Sequence, residues 1–176
     1  TKVIGTRWVL VRKSYGVKAR LVAQEVAAGA GPEDVFAGCP TLIGQRLLLQ
    51  RAAERGWAVL TGDISTAFLH APVDHEAYVR PPQTEPNYAT VVWRLRQALC
   101  GLRTSPRMFQ QHLASQLAKH GIVRLLGDCQ LYLHPPTGSL LSIHADDLLI
   151  TSPDLEIIKG FVEAEFTVKW LSLIHI

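Results

Sequence analysis

Three aspartates stand where their neighbours make them more than surface charge. Asp146 and Asp147 are adjacent and lie between two strongly apolar runs, Leu140-Leu141-Ser142-Ile143-His144 and Leu148-Leu149-Ile150-Thr151. Aspartate is common in turns, so this pair alone reads as the tip of a hairpin. Like charges this close resist ionising together unless a cation neutralises them, and the natural occupant is a hard divalent ion, Mg²⁺ first, that prefers oxygen. A second acidic strand end favours the metal reading: Asp63 follows Trp57-Ala58-Val59-Leu60-Thr61-Gly62 and precedes Ile64-Ser65-Thr66-Ala67-Phe68-Leu69. Carboxylates from two strand ends can hold two ions about 3.5–4 Å apart, which clamp the attacking and leaving oxygens of a phosphoryl transfer. Positioning and charge neutralisation do most of that chemistry, so basic side chains for phosphate groups are expected nearby.

Those basic side chains are clustered. Up to residue 24 the chain carries Lys2, Arg7, Arg12, Lys13, Lys18 and Arg20 with no acid among them, and residues 80–107 carry Arg80, Arg94, Arg96, Arg103 and Arg107 against Glu85 alone. The overall balance, 18 basic against 15 acidic residues, does not itself diagnose a nucleic-acid partner. A chain of 176 residues that is 48% hydrophobic can bury a real core without disulfide or metal staples. Cys39, Cys100 and Cys129 are an odd number, widely spaced and without a CxxC, a pattern that suggests neither a zinc knuckle nor a disulfide framework and fits a reducing compartment. No apolar run approaches the roughly 18 residues that cross a membrane, and the N-terminus has no charged segment followed by an apolar one.

The elements that must position the acids are legible in outline. Residues 7–11 and 17–23, separated by Lys13-Ser14-Tyr15-Gly16, read as a β-hairpin, and the Ala-, Gly- and Pro-rich segment 25–40 as a loop. Leu42, Ile43, Leu47, Leu49, Ala52 and Ala53 predict a helix from Thr41 to Arg55, with Gly56 as its cap, followed by a buried strand that leads to Asp63. Pro72, Pro81, Pro82 and Pro86 leave only short strands around 77–79 and 91–95. A second helix starts after Thr104 or Ser105, with Pro106 in its first turn and Phe109, Leu113 and Leu117 along one face. Residues 130–134, 140–144 and 148–151 predict strands, and Pro153 to Phe166 a third helix. Helices mixed with mostly antiparallel strands, without strict βαβ alternation, make the class α+β.

Four blocks, in this order and spacing, resemble copia-type (Ty1/copia) retrotransposon reverse transcriptases. They are Lys18-Ala19-Arg20-Leu21-Val22-Ala23-Gln24, Asp63 through Leu69, Leu99-Cys100-Gly101-Leu102-Arg103-Thr104-Ser105-Pro106-Arg107, and His144-Ala145-Asp146-Asp147. Weaker echoes occur at Asp34-Val35-Phe36-Ala37, Arg46-Leu47-Leu48-Leu49, Tyr78-Val79-Arg80-Pro81-Pro82 and Trp93-Arg94-Leu95, so the likeness runs to about residue 170. The resemblance implies an RNA-directed DNA polymerase that joins deoxynucleoside triphosphates to a primer 3′-hydroxyl by two-metal nucleotidyl transfer. It implies that Asp63, Asp146 and Asp147, with the carbonyl of Ile64, bind two Mg²⁺ ions, with Mn²⁺ as a substitute. Lys18 and Arg20 match residues that hold the triphosphate, which of them makes the main contact being left open. Phe68 matches the residue under the incoming sugar, and Gly101 and Arg103 match the block against the nascent base pair and template. The position before Ala145 is usually tyrosine in the family and is His144 here.

The same resemblance implies fingers at 1–56 and 72–104 and a palm at 57–71 and 105–170, its antiparallel sheet packed on helices, with the thumb absent. The start inside a strand-like segment reads as a piece of a longer chain. Residues 171–176 resemble a translated sequencing adapter, a non-native scar, the alternative being a final strand. Expected partners are an RNA or DNA template with primer, deoxynucleotides, and flanking integrase and RNase H in a parent Pol polyprotein; no membrane is expected. The expected location is intracellular, in cytoplasmic virus-like particles or the nucleus. Two other readings are a catalytically inactive, truncated remnant that still grips nucleic acid, and a different two-metal phosphotransferase or nuclease.

Overall fold

The computed structural model describes residues 3–25 and 35–174, so the expectations resting on Lys2, on Asp34 and its preceding loop, and on the last two residues lie outside it. In chain order the elements are β1 (Val3–Ile4), β2 (Thr6–Lys13), β3 (Gly16–Ala23), α1 (Leu42–Arg55), β4 (Val59–Ile64), β5 (Tyr78–Val79), β6 (Trp93–Arg94), α2 (Ser105–Lys119), β7 (Val123–Leu125), β8 (Asp128–His134), β9 (Ser139–His144), β10 (Asp147–Thr151), α3 (Leu155–Glu165) and β11 (Val168–Ile174). A 3₁₀ turn, Ala67–His70, follows β4. The expected α+β class holds. Among the described residues, no helix is long and apolar enough to cross a membrane.

The chain divides into two compact units, residues 1–36 with 68–109 and residues 37–67 with 110–176. In the first, β2 and β3 form the predicted hairpin, paired from Thr6↔Ala23 to Lys13↔Gly16. Two-residue alternation gives this ribbon two distinct faces. Arg7, Lys13, Lys18 and Arg20 share one with Val9 and Val11, and Trp8, Leu10, Ala19 and Leu21 share the other. The base of the ribbon is tied down where the Thr6 hydroxyl donates to the Arg80 carbonyl at 2.7 Å and Trp8 Nε1 donates to Thr84 Oγ1 at 3.1 Å. Ile4, Ala23, Val79, Leu99 and Leu102 form the buried cluster beneath it.

The second unit is built on a six-stranded sheet in the order β11-β4-β10-β9-β8-β7, with every neighbouring pair antiparallel. Helix α1 packs on one face of it through Leu48, which meets Leu131 and Leu140 with Leu125, Leu133 and Leu149 around them. The helix is where the sequence predicts it, but its buried stripe is Gly44, Leu48 and Ala52, and Leu42, Ile43, Leu47 and Leu49 are exposed. Three consecutive leucines define no unique stripe. The small residues four places either side of Leu48 decide it, because they let the helix backbone approach the sheet. On the opposite face Tyr132, Leu141, Ile143, Leu148 and Ile150 are buried, and Phe161 of α3 packs between the rings of His120 and His134.

One carboxylate locks α1 to the sheet. Asp128, at the start of β8, accepts from the Thr41 N–H at 2.9 Å and the Thr41 hydroxyl at 2.7 Å, and its other oxygen accepts from the Gln130 N–H at 2.9 Å. Thr41 is itself the N-cap of α1, accepting from the Gly44 N–H at 2.9 Å. Burial opposes ionisation of Asp128, but those donors outweigh it and hold the carboxyl below its ordinary 3.8. A lowered folded-state value means stability that is present above about pH 4 and lost as the pH falls through the folded value. Asp128→Asn is therefore expected to cost about 1–3 kcal/mol at pH 7. In urea unfolding the gap between the two proteins should close steadily below pH 4, and a gap independent of pH would refute the role of the charge.

Candidate metal centre

The acids meet at one end of the second unit's sheet. Asp63 is the fifth residue of β4, and Ile64 follows it as the last. The β9–β10 hairpin turns through Ala145 and Asp146, with His144 paired to Asp147 across the turn. Ala145 has φ +53°, the only positive φ in the turn, in the position that type II′ hairpins usually give to glycine. That conformation costs a residue with a Cβ about 1–2 kcal/mol, and it is held by the Ile64 N–H, which donates to the Asp146 carbonyl at 2.8 Å. The turn is thereby clamped to the strand that carries Asp63.

The result is a cluster in which Asp63, Asp146 and Asp147 each present a carboxylate oxygen within 4.8 Å of the others. Asp63 is half-buried and Asp147 exposed. Unit charges at that separation repel by a few kcal/mol per pair at an effective dielectric constant of about 20, so the cluster favours a bound cation. Its donors are all hard carboxylate oxygens, which fits Mg²⁺ or Mn²⁺ and does not fit a soft, sulfur-seeking metal.

Sheet register adds a residue that sequence reasoning missed. Asp147 pairs with Asp63 and Asp63 with Lys169, so His144, Asp147, Asp63 and Lys169 form one row on one face. The exposed Lys169 thus brings a positive charge beside the acids. Nothing local signals this, because the two strands are about a hundred residues apart in the chain and only their pairing places the lysine there. Gly62, next to Asp63, makes the pairing close: a side chain there would collide with the Trp170 ring. His144 is exposed at the end of β9. A cavity of about 270 Å³ opens beside it, lined in part by Gln45, Thr61, Ser142, Asp147 and Leu171.

The remaining predicted residues belong to the first unit. Lys18 and Arg20 are exposed and project from the same face of β3. Gly101 and Arg103 dock on the end of that strand: the Ala23 N–H donates to the Cys100 carbonyl at 2.8 Å, and the Arg103 N–H to Glu25 Oε2 at 2.7 Å. Phe68 lies in the 3₁₀ turn, half-buried, edge-on to Phe109 with ring centroids 6.1 Å apart. The fold thus gathers the acids and Ile64 in one unit, and the two basic residues with the Gly101–Arg103 block in the other.

The sequence model of the family described as "Reverse transcriptase (RNA-dependent DNA polymerase)" matches residues 1–175. The chain is 30% identical over 185 aligned residues to the Retrovirus-related Pol polyprotein from transposon RE2 of Arabidopsis thaliana, a match covering 95% of this chain and 12% of that protein. It is 26% identical to the corresponding polyprotein from transposon TNT 1-94 of Nicotiana tabacum, over 93% of this chain and 14% of that one. With the putative transposon Ty5-1 protein YCL074W of Saccharomyces cerevisiae it shares 30% identity over 54% of the chain and 32% of the relative. It therefore spans only about an eighth of the plant polyproteins that it matches almost end to end. On the family match and these relatives, the chain belongs to the reverse transcriptase family, in the branch carried by Pol polyproteins of copia-type retrotransposons.

Proposed function

We propose that this chain carries the polymerising site of an RNA-directed DNA polymerase, in which a primer 3′-hydroxyl attacks the α-phosphate of a deoxynucleoside triphosphate and pyrophosphate leaves. The observation that carries the reading is the convergence of Asp63 with Asp146 and Asp147 from separate strands, in a chain of this family. Two Mg²⁺ ions, with Mn²⁺ as a substitute, would be held by these three carboxylates and the Ile64 carbonyl, and when bound supply charge neutralisation for the attacking and leaving oxygens.

The protein's own groups do the rest. Lys18 and Arg20 neutralise the triphosphate from the open face of the hairpin. Gly101 and Arg103 present backbone and charge to the nascent base pair and template, and template and primer are gripped mainly through phosphates. The fingers are proposed at 1–56 and 72–104 and the palm at 57–71 and 105–170, although α1 packs with the sheet of the second unit. Proposed companions in a parent polyprotein are integrase and RNase H, within a cytoplasmic particle or the nucleus.

The test is Mg²⁺-dependent primer extension on an RNA template, with the chain as it stands and with a form carried further at its C-terminus. Extension that EDTA abolishes supports the polymerase. Salt-sensitive template binding without extension by either form would instead identify a remnant that only grips nucleic acid.

Phe68 gives a sharper version. Its ring is proposed to lie under the incoming sugar and to exclude a 2′-hydroxyl. Phe68→Ala should raise the use of ribonucleotides relative to deoxynucleotides by roughly 10- to 100-fold. Unchanged sugar selectivity, with deoxynucleotide incorporation intact, would reduce Phe68 to a packing partner of Phe109.

A further inference from the structure

We propose that Cys39 and Cys129 are a redox-active thiol pair, which a small-molecule disulfide converts into an intramolecular disulfide bond. The proposal is independent of the polymerase reading, and both residues lie in the second unit.

The segment leading into α1 runs beside the start of β8 and is anchored at both ends. Gln110 grips Gly38 on both sides: its Oε1 accepts from the Gly38 N–H at 3.0 Å, and its Nε2 donates to the Gly38 carbonyl at 2.6 Å. Three residues on, Thr41 is bound to Asp128. Cys39 is held between these two points, one opposite Cys129 and the other opposite the residue before it.

A Cβ added at Gly38 would overlap the Cys129 sulfur, so only glycine lets the chain pass this close. The Cys39 α-carbon is one step of about 3.8 Å further along. The contact itself belongs to Gly38, the residue before Cys39. Disulfides join α-carbons about 4.4–6.8 Å apart, so closing the bond requires the exposed Cys39 side chain to turn from solvent toward Cys129. Cys39 is exposed and open to an oxidant, and Cys129 is partly exposed. Cys100 belongs to the other unit and serves as an internal control.

The exchange balances without any further reactant. The Cys39 thiolate attacks one sulfur of oxidised glutathione and releases one glutathione thiolate. The Cys129 thiolate then attacks Cys39 Sγ in the mixed disulfide and expels the second. Two protein thiols give up two protons and two electrons, and one glutathione disulfide becomes two thiols. The new bond closes a loop of roughly 90 residues, a length at which a cross-link restricts the unfolded chain strongly. It also fastens the entry to α1 onto β8.

The experiment incubates the protein with oxidised glutathione and follows thiol titre, peptide mass and thermal unfolding. Free thiols are expected to fall from the three in the sequence to one. A peptide linking Cys39 to Cys129 should appear, and the melting temperature should rise by about 5 °C and return on treatment with dithiothreitol. Cys39→Ser and Cys129→Ser should each remove the linked peptide and the shift, and Cys100→Ser should leave both. Three persistent thiols, a glutathione adduct that stops at Cys39, a link to Cys100 or a link between chains would each overturn the proposal. The untreated protein's own unfolding transition shows in every case that the starting material is folded.

Discussion

Asp146→Asn is expected to lower RNA-templated nucleotide incorporation by about 10³-fold or more, with little change in template affinity. The exchange is nearly isosteric. The backbone carbonyl of residue 146 still accepts from the Ile64 N–H, so the hairpin stays clamped to β4. What disappears is one of three negative charges whose oxygens lie within 4.8 Å of one another. An amide oxygen is a far weaker partner for a divalent cation, and in the proposed transfer the lost charge would act on oxygens whose own charge grows in the transition state. About 4 kcal/mol of transition-state stabilisation corresponds to that factor. Single-turnover incorporation at saturating Mg²⁺ reads the chemical step, and a filter-binding titration reads template affinity. Activity retained within tenfold would remove Asp146 from the proposed metal ligands. An equal loss of template affinity would mean that the substitution had damaged the surface and not the chemistry.

How far the sequence carries depends on whether the deciding contact is local. The β9–β10 hairpin and its acids are visible because two apolar runs flank the acidic tip. Helix α1 is visible because Thr41 and Gly56 mark its ends, and both act as caps in the structure. The strand leading to Asp63 is visible as an apolar run, though it begins at Val59 and continues to Ile64. Which face of α1 is buried is not visible, since Leu47, Leu48 and Leu49 are interchangeable until the sheet selects one. Lys169 is a plain surface lysine until β11 pairs with β4, and Asp128 a turn residue until Thr41 is brought to it across 87 positions. Nothing local marks the short β7, because Val123 and Arg124 are exposed and pair with β8 at an irregular register. Residues 171–174, expected to be either a scar or a final strand, extend β11 along β4 past a register shift between Trp170 and Ser172, with Leu171, Leu173 and Ile174 exposed.

Gly101→Ala should be the most damaging single-methyl change in the first unit, costing about 3–4 kcal/mol or more. Two separate penalties combine. The residue has φ +92°, a conformation that a residue with a Cβ rarely adopts and that costs of order 1–3 kcal/mol when imposed. The added methyl also has no room, because it would overlap the Ala23 carbonyl oxygen and press on the Val22 side chain. Backbone cannot yield as a flexible side chain can, so the turn must move away from β3. Moving it breaks the bond from the Ala23 N–H to the Cys100 carbonyl and the one from the Arg103 N–H to Glu25. Each net bond contributes about 1 kcal/mol. Ala23, Leu99 and Leu102 belong to the buried cluster of this unit, so the disturbance reaches its core. Urea unfolding gives the size of the loss, and amide exchange at Ala23 gives its location. Loss of protection at Ala23 and Arg103, with the β9–β10 hairpin unaffected, is the expected pattern. A loss below about 1 kcal/mol with Ala23 still protected would show that the turn relaxes freely. In that case the close approach of Gly101 to β3 would have no structural necessity, and its glycine would have to be explained by what docks against it.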